Sequence, residues 1–358
     1  MLDERTTPTA EARRQIEICN ACRYCEGFCS VFPAMTRQRA FADGDITQLA
    51  NLCHNCRGCY YSCQYTPPHE FALNLPAALA LIRNDSWERL VWPSRLGALF
   101  QRSGGAMAAA LVLCLAAFFW LLAALRPEQG AGFYAHLAHD AMVALFLPAF
   151  LLPLASVAWG LRRYWHEVGA GRPRLAHLTG ALRQAAGMRN LSGGQGQGCN
   201  FEAEDRYSNS RRWFHQAMMY GFLLCFGATA SGTVLHYGFG IQAPYGFFSL
   251  PKLLGVPGGI LMVIGAAGLA AGKLRADPAL GAAHAWGGEM AFILLLGFVA
   301  ASGLALYAAT GTALVGPLLA LHLGSVMALF LLLPFTKMVH GFFRLAALVV
   351  EEQRRRGE

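Results

Sequence analysis

Residues 19–33 read CNACRYCEGFCSVFP and residues 53–67 read CHNCRGCYYSCQYTP. Both follow Cys-x2-Cys-x2-Cys-x3-Cys-x3-Pro. The second is the first moved on by 34 residues, so eight of the eleven cysteines stand in two matched quartets. Three thiolates spaced three apart converge on one inorganic cluster, because a tight winding turn brings each sulfur round to the same side. The fourth points away and, in two-cluster ferredoxins, ligates the other cluster. The pattern predicts one [4Fe–4S] cluster on Cys19, Cys22, Cys25 and Cys63 and a second on Cys53, Cys56, Cys59 and Cys29. Ferredoxins set proline directly after the fourth cysteine, whereas Pro33 and Pro67 come four residues later, which leaves the pairing of Cys29 and Cys63 open. Structural zinc also takes four cysteines but favours two separated Cys-x2-Cys pairs. Disulfides need an oxidising compartment, and the polar residues 1–18 do not read as a signal peptide.

Outside the quartets the composition points to a membrane. The 358 residues are 55% hydrophobic and only 14% charged, with a net charge of +8. In a membrane protein such an excess marks cytoplasmic loops, and no Lys/Arg stripe interleaves with aromatics, so no nucleic-acid partner is expected. The expected fold class is mainly α: an N-terminal two-[4Fe–4S], ferredoxin-like α-helical domain (1–75), then a six-helix transmembrane bundle. Between them an amphipathic, interfacial linker (76–105) would set Trp87 and Trp92 at headgroup level. The membrane domain (106–345) reads as spans over 106–125, 140–161, 214–235, 254–272, 286–309 and 318–340, with 346–358 as a charged cytoplasmic tail. The glycine-rich fourth span leaves a re-entrant path open. Arg162 to Arg212, Lys273 with Arg275, and Arg344 to Arg356 all fall on the side of the cluster domain. The opposite side holds little more than Arg126 and Lys252, so the cluster domain is expected in the cytoplasm. The long loop 163–213, centred on Ser192–Asn200 with Cys199, is expected to cap the cluster domain. It is no phosphate loop, since it lacks Lys-Ser/Thr after a strand.

Four histidines lie at span ends: His215 and His236 in the third, His322 and His340 in the sixth. In one continuous helix His322 and His340 would share a face roughly 27 Å apart, and His215 and His236 would lie about 31 Å apart. On antiparallel spans this predicts His215 with His340 on the cytoplasmic side and His236 with His322 on the outer side, as axial pairs for one or two b-type haems. His284 is a spare, either a substitute axial ligand or a quinone contact; His136 and His139 in the outer loop face either a quinone or only water, and His54 and His69 neighbour the clusters. Gly227, Gly232, Gly265, Gly268, Gly297 and Gly303 fit either close helix packing or room for a macrocycle.

The two quartets, Gly198-Cys199-Asn200, Arg211-Arg212-Trp213-Phe214-His215, Tyr220 to Phe226, Pro251 to Gly255 and Pro334 to His340 together resemble the tricarballylate-utilization protein B family, also known as citrate utilization protein B. The resemblance covers nearly the whole chain. It implies a multi-pass protein of the bacterial inner membrane, an electron-transfer subunit of an oxidoreductase rather than a catalyst with its own substrate site. Its partner would be a soluble FAD-dependent tricarballylate (tricarboxylate) dehydrogenase, whose reduced flavin it reoxidises, passing electrons to quinone in the lipid. The chain has no Gly-x-Gly-x-x-Gly after a strand, which fits flavin residing on the partner. Two other readings use the same features: the membrane subunit of another quinone-linked, disulfide-reductase-like enzyme, and a transporter with a metal-binding domain. The near absence of intramembrane Asp and Glu disfavours the transporter.

Overall fold

A computed structural model describes residues 7–125, 136–194 and 196–357; Arg126 falls outside them. The described residues are mainly helical, with one isolated pair of extended residues, Cys199 and Ser208. Five helices build the N-terminal domain: α1 (Pro8–Cys22), α2 (Val31–Thr36), α3 (Asp43–Leu52), α4 (Gly58–Tyr61) and α5 (Leu75–Leu90). The start of α1 is set locally. Thr7 Oγ1 accepts from the Ala10 N–H at 3.2 Å and Pro8 occupies the first turn, where its missing N–H costs nothing. Asn74 caps α5 in the same way.

The membrane part contains α6 (Ser94–Leu125), α7 (His139–Glu167), α9 (Ser210–Phe239), α10 (Leu250–Leu274), α11 (Trp286–Ala308) and α12 (Val315–Leu332). Among the described residues these six, extended by short 3₁₀ turns at Ala283 and Phe335, are long and apolar enough to cross a membrane. The fourth is one uninterrupted helix, not a re-entrant loop. Two further helices, α8 (Leu175–Ala186) and α13 (Val339–Arg355), lie against the N-terminal domain.

Three boundary readings need correction. The 76–105 stretch is not a linker. Its first part is α5, whose Trp87 is 5% exposed and donates its indole N–H to Asn51 Oδ1 at 2.8 Å; Trp92 alone stays open, at 71%. Its second part is the start of α6, which kinks at Ser103. Nor is 346–358 a charged tail. Phe343, Ala347, Val350 and Arg354 form one stripe of α13, and the three apolar members are buried in the same core as Ile46 and Leu79. Gln48 Nε2 donates to the Ala347 carbonyl (2.8 Å), and Arg354 pairs with Asp45 (3.0 Å). The terminal arginines gave that segment its charge, but the apolar stripe decides where it packs. Finally, the sixth span does not run on to His340. Pro334 cannot donate to the helical ladder; the chain tightens over Leu333–Phe335, Thr336 is extended, and a new helix begins at Val339. His322 and His340 therefore belong to different helices, and the count of five turns between them does not apply.

Several glycines of α9 and α10 serve close packing, whereas Gly227 and Gly232 meet nothing nearer than 3.6 and 3.7 Å. A Cβ on Gly221 would sit 2.7 Å from the Gly258 carbonyl oxygen, and one on Gly258 would sit 2.9 Å from that of Gly221, so α9 and α10 meet backbone to backbone. Gly265 and Gly268 lie under Met218 and Phe214 of the same pair. Gly258→Val is expected to cost roughly 1–3 kcal/mol through overpacking. In detergent this should appear as a lowered midpoint of thermal unfolding. Gly105→Ala, with nothing within 4 Å of the added carbon, should leave the midpoint in place.

Candidate iron–sulfur and histidine centre

The first quartet forms where α1 ends. Cys19 and Cys22 occupy its last turn, Arg23 takes a left-handed conformation (φ 58°), and the chain winds through Cys25 and Cys29 into α2. The second repeats the device. Cys53 closes α3, Asn55 (φ 50°) and Arg57 (φ 66°) wind the backbone, and α4 carries Cys59 before Cys63. Backbone N–H groups point at sulfur in the second quartet, Asn55 to Cys53 Sγ at 3.4 Å and Tyr65 to Cys63 Sγ at 3.3 Å.

The fourth cysteines cross over. Cys63 lies with Cys19, Cys22 and Cys25 around a cavity of about 220 Å³, whose wall Cys59 also reaches. Burial pushes the Cys19 thiol up to about 12, and the next largest causes are Cys63, Cys25 and Cys22. Cys25 rises likewise to about 12, through burial and then Cys63. Cys29 faces the other group: burial and then Cys56 and Cys53 raise it, and burial with Cys56, Cys53 and Cys29 raises Cys59. Thiols so crowded cannot ionise beside one another unless positive charge is brought among them. The iron of a cluster supplies such charge, and the donor set fits it. Among the described residues no three His, Cys, Asp or Glu side chains converge on one single-ion position.

The loop expected as a cap does cover the quartets. The Asn200 N–H donates to the Cys56 carbonyl (2.9 Å), Arg57 donates to that of Phe201 (3.0 Å), and Tyr61 to that of Ala203 (3.0 Å). A Cβ on Gly194 would meet the Gly27 carbonyl oxygen at 2.1 Å, so glycine is needed where this loop presses on the first quartet. Cys199 is buried beneath the loop next to Cys56.

Beside the second quartet opens a larger cavity of about 460 Å³, lined by His54, His215 and His340 and, from the membrane helices, by Met218, Phe222 and Phe292. The His215 and His340 rings face each other at 5.7 Å between centroids, with planes at 78°. Two metal–nitrogen bonds of about 2 Å plus two ring radii come to roughly 6 Å. The pair is thus spaced for an iron between the rings. His340 directs Nδ1 to the Lys337 carbonyl, which orients the ring, and burial followed by Arg344 and His215 keeps it neutral, the form that ligates metal. His215 Nδ1 is buried with no hydrogen-bond partner among the described residues, a polar atom that a bound group would satisfy. The residues present fit a haem here.

The pair expected at the outer surface, His236 and His322, is arranged otherwise. His236 stacks on His139 at 3.9 Å between centroids with planes 17° apart, which leaves no space for a metal between them. His322 Nδ1 contacts Ser302 Oγ at 3.1 Å, and its imidazole edge lies against Gly303. The structure therefore pairs His236 with His139 rather than with His322. The reason is the bundle order: α9 packs along α10, while α12 packs against α6 and α11.

The sequence reading missed a set of buried charges. Glu289 bridges Lys273 and Lys337, both at 2.6 Å, on the wall of the histidine cavity. Arg57, Arg83, Arg211 and Arg344 line the same cavity. Counting basic residues for topology treated Arg211 and Arg344 as loop charges, and no local pattern marks a buried arginine.

A mainly helical chain that joins an eight-cysteine domain to six membrane-spanning helices defines a multi-pass membrane protein of the iron–sulfur class. Residues 12–88 match the family described as "Citrate utilization protein B Fer4-like domain", and residues 93–358 match "Citrate utilization protein B". The Citrate utilization protein B of Escherichia coli is 43% identical over 357 residues, covering 98% of this chain and 94% of that protein. No solved structure matches the chain. The chain belongs to the citrate utilization protein B family.

Proposed function

We propose that the protein is a membrane-bound electron conduit. It would reoxidise the flavin of a soluble FAD-dependent tricarboxylate dehydrogenase on the cytoplasmic side of the bacterial inner membrane and reduce quinone. The observation that carries this reading is the contiguity of the two centres. Arg344 of α13 donates to the Cys53 carbonyl (3.0 Å), and the same helix, one turn earlier, presents His340 to His215. A thiolate site and a bis-imidazole site thus share one wall. When bound, two [4Fe–4S] clusters and a b-type haem take up and release single electrons, which is what connects a two-electron flavin to a membrane acceptor.

The chain's own residues supply the rest. The eight quartet cysteines hold the clusters, and the loop around Asn200 shields the second from water. His215 and His340 orient the macrocycle, while Met218, Phe222 and Phe292 give it an apolar bed. The first quartet lies nearer the surface, with Cys22 exposed and Tyr24 at 69% exposure beside it, which makes it the natural face for a flavoprotein. The family's name speaks of citrate, itself a tricarboxylate, in keeping with a partner enzyme of that substrate class.

Purified protein is expected to carry about eight non-haem irons, about eight acid-labile sulfides and one haem per chain. Its dithionite-reduced haem bands should be reoxidised on addition of a quinone analogue. Zinc in place of iron, or an absence of haem bands, would sink the reading. Co-purification with a flavoprotein that acts on a substrate other than a tricarboxylate would replace the partner and leave the conduit standing.

A further inference from the structure

The two quartets sit in unlike electrostatic surroundings. The cavity of the first is lined by no charged side chain; its walls are cysteines, tyrosines and small polar or apolar residues. The second is held in a cage of cations, two of them buried and two half-buried. Arg83, 3% exposed, and Arg344 both donate to the Cys53 carbonyl, at 2.9 and 3.0 Å. Arg211 donates to the Asn55 carbonyl at 2.7 Å, and Arg57, 4% exposed, holds Asn55 Oδ1 at 3.1 Å. Among the described residues none of the four is ion-paired. Two carboxylates line the same cavity: Glu289 is already engaged by two lysines, and Asp277 accepts from the Ala279 N–H and forms no ion pair with the four. The Nε atoms of Arg83 and Arg344 are buried with no hydrogen-bond partner. Buried cations without carboxylates are costly unless an anion lies beside them. A cluster bound by four thiolates is such an anion, and it gains a further negative charge on reduction.

Resting on the iron–sulfur reading above, we propose that Arg83, Arg211 and Arg344 make the second quartet the higher-potential cluster site of the two, and so the one from which electrons leave for the membrane. Fixed positive charge in a poorly screened interior favours the more negative, reduced form. Backbone N–H contacts on sulfur act in the same direction: Tyr65 donates to Cys63 of the first group, whereas in the second Asn55 donates to Cys53 and the backbone of Gly58 and of Val31 and Phe32 lies against Cys56 and Cys29. The competing term is smaller. Hydration of the more exposed first quartet also favours reduction, but mobile water screens less effectively than three full charges held against the second loop. The same arginines face the histidine cavity, so haem propionates are the rival anion. The quartet is favoured because the donor groups converge on carbonyls of the loop Cys53–Asn55 itself.

The test is a redox titration followed by electron paramagnetic resonance on the full-length protein in detergent, with non-haem iron counted in every sample. Cys22→Ser assigns the signals, because it alters or removes the first cluster only. The second cluster should be reduced first. Arg83→Gln and Arg344→Gln should each lower its reduction equilibrium by at least about tenfold, or about 59 mV for a one-electron couple, without moving the first. Arg83→Lys and Arg344→Lys, which keep the charge, should restore most of it. Should a glutamine variant lose iron, Arg211→Gln carries the comparison. A second cluster at or below the potential of the first overturns the proposal. So do glutamine variants that shift only the haem, or neither centre. A protein without clusters would instead defeat the underlying reading, and the iron count separates the two failures.

Discussion

Cys63→Ser is expected to remove the cluster that Cys19, Cys22 and Cys25 share, and to leave the one on Cys53, Cys56 and Cys59 intact. Iron should fall from about eight to about four per chain. The expectation runs against sequence proximity, since Cys63 is only four residues from Cys59. It follows from the fold: Cys63 lies on the cavity of the first quartet, and Cys29 faces Cys53 and Cys56. Iron loss from single variants does not distinguish the crossed from the sequential arrangement, but pairs do. Two substitutions in one cluster are non-additive, because the second removes nothing that remains. Cys22→Ser combined with Cys63→Ser should therefore lose no more iron than either alone, whereas Cys59→Ser combined with Cys63→Ser should lose nearly all. The reverse pattern would show that each quartet serves its own cluster. Cys199→Ser should keep the full iron count, since Cys199 is buried under the loop against Leu191 and is not a quartet member.

His215→Ala and His340→Ala should each abolish the haem absorbance while leaving about eight non-haem irons. Removing one axial ligand leaves an iron with one imidazole and a widened cavity, and the remaining apolar contacts do not fix the macrocycle. His236→Ala and His322→Ala should retain haem. His236 is stacked against His139 too closely to admit a metal, and His322 is turned to Ser302 and Gly303. Reduced-minus-oxidised spectra together with a haem assay give the answer. Haem kept in both inner variants and lost in both outer ones would transfer the centre to the other membrane surface. Half the haem lost in all four would restore the two-haem arrangement that the histidine spacing first predicts.

What could be read in the sequence was what depends on local spacing. The cysteine intervals identify the quartets because a wound loop brings sulfurs three residues apart to one side whatever surrounds it. The left-handed residues Arg23, Asn55 and Arg57 are that winding. The six spans were legible because length and apolarity alone qualify a helix to cross hydrocarbon. Span-end histidines at 215 and 340 were also visible, as polar rings that need a reason in an apolar setting.

Other features depended on which distant segments meet. The break at Pro334 moved His340 onto a new helix, so helical phase carried over from His322 did not apply, and only packing brought His340 against His215. A charged C-terminus became part of the core because its apolar stripe found α3 and α8. The arginines around Cys53 come from positions 83, 211 and 344, and no window of sequence contains them together. The sequence by itself determined the two cysteine quartets and six stretches long and apolar enough to cross a membrane. The tertiary structure decided that the second quartet, His215 and His340 share one cationic wall, because side chains remote along the chain become neighbours only when the helices pack.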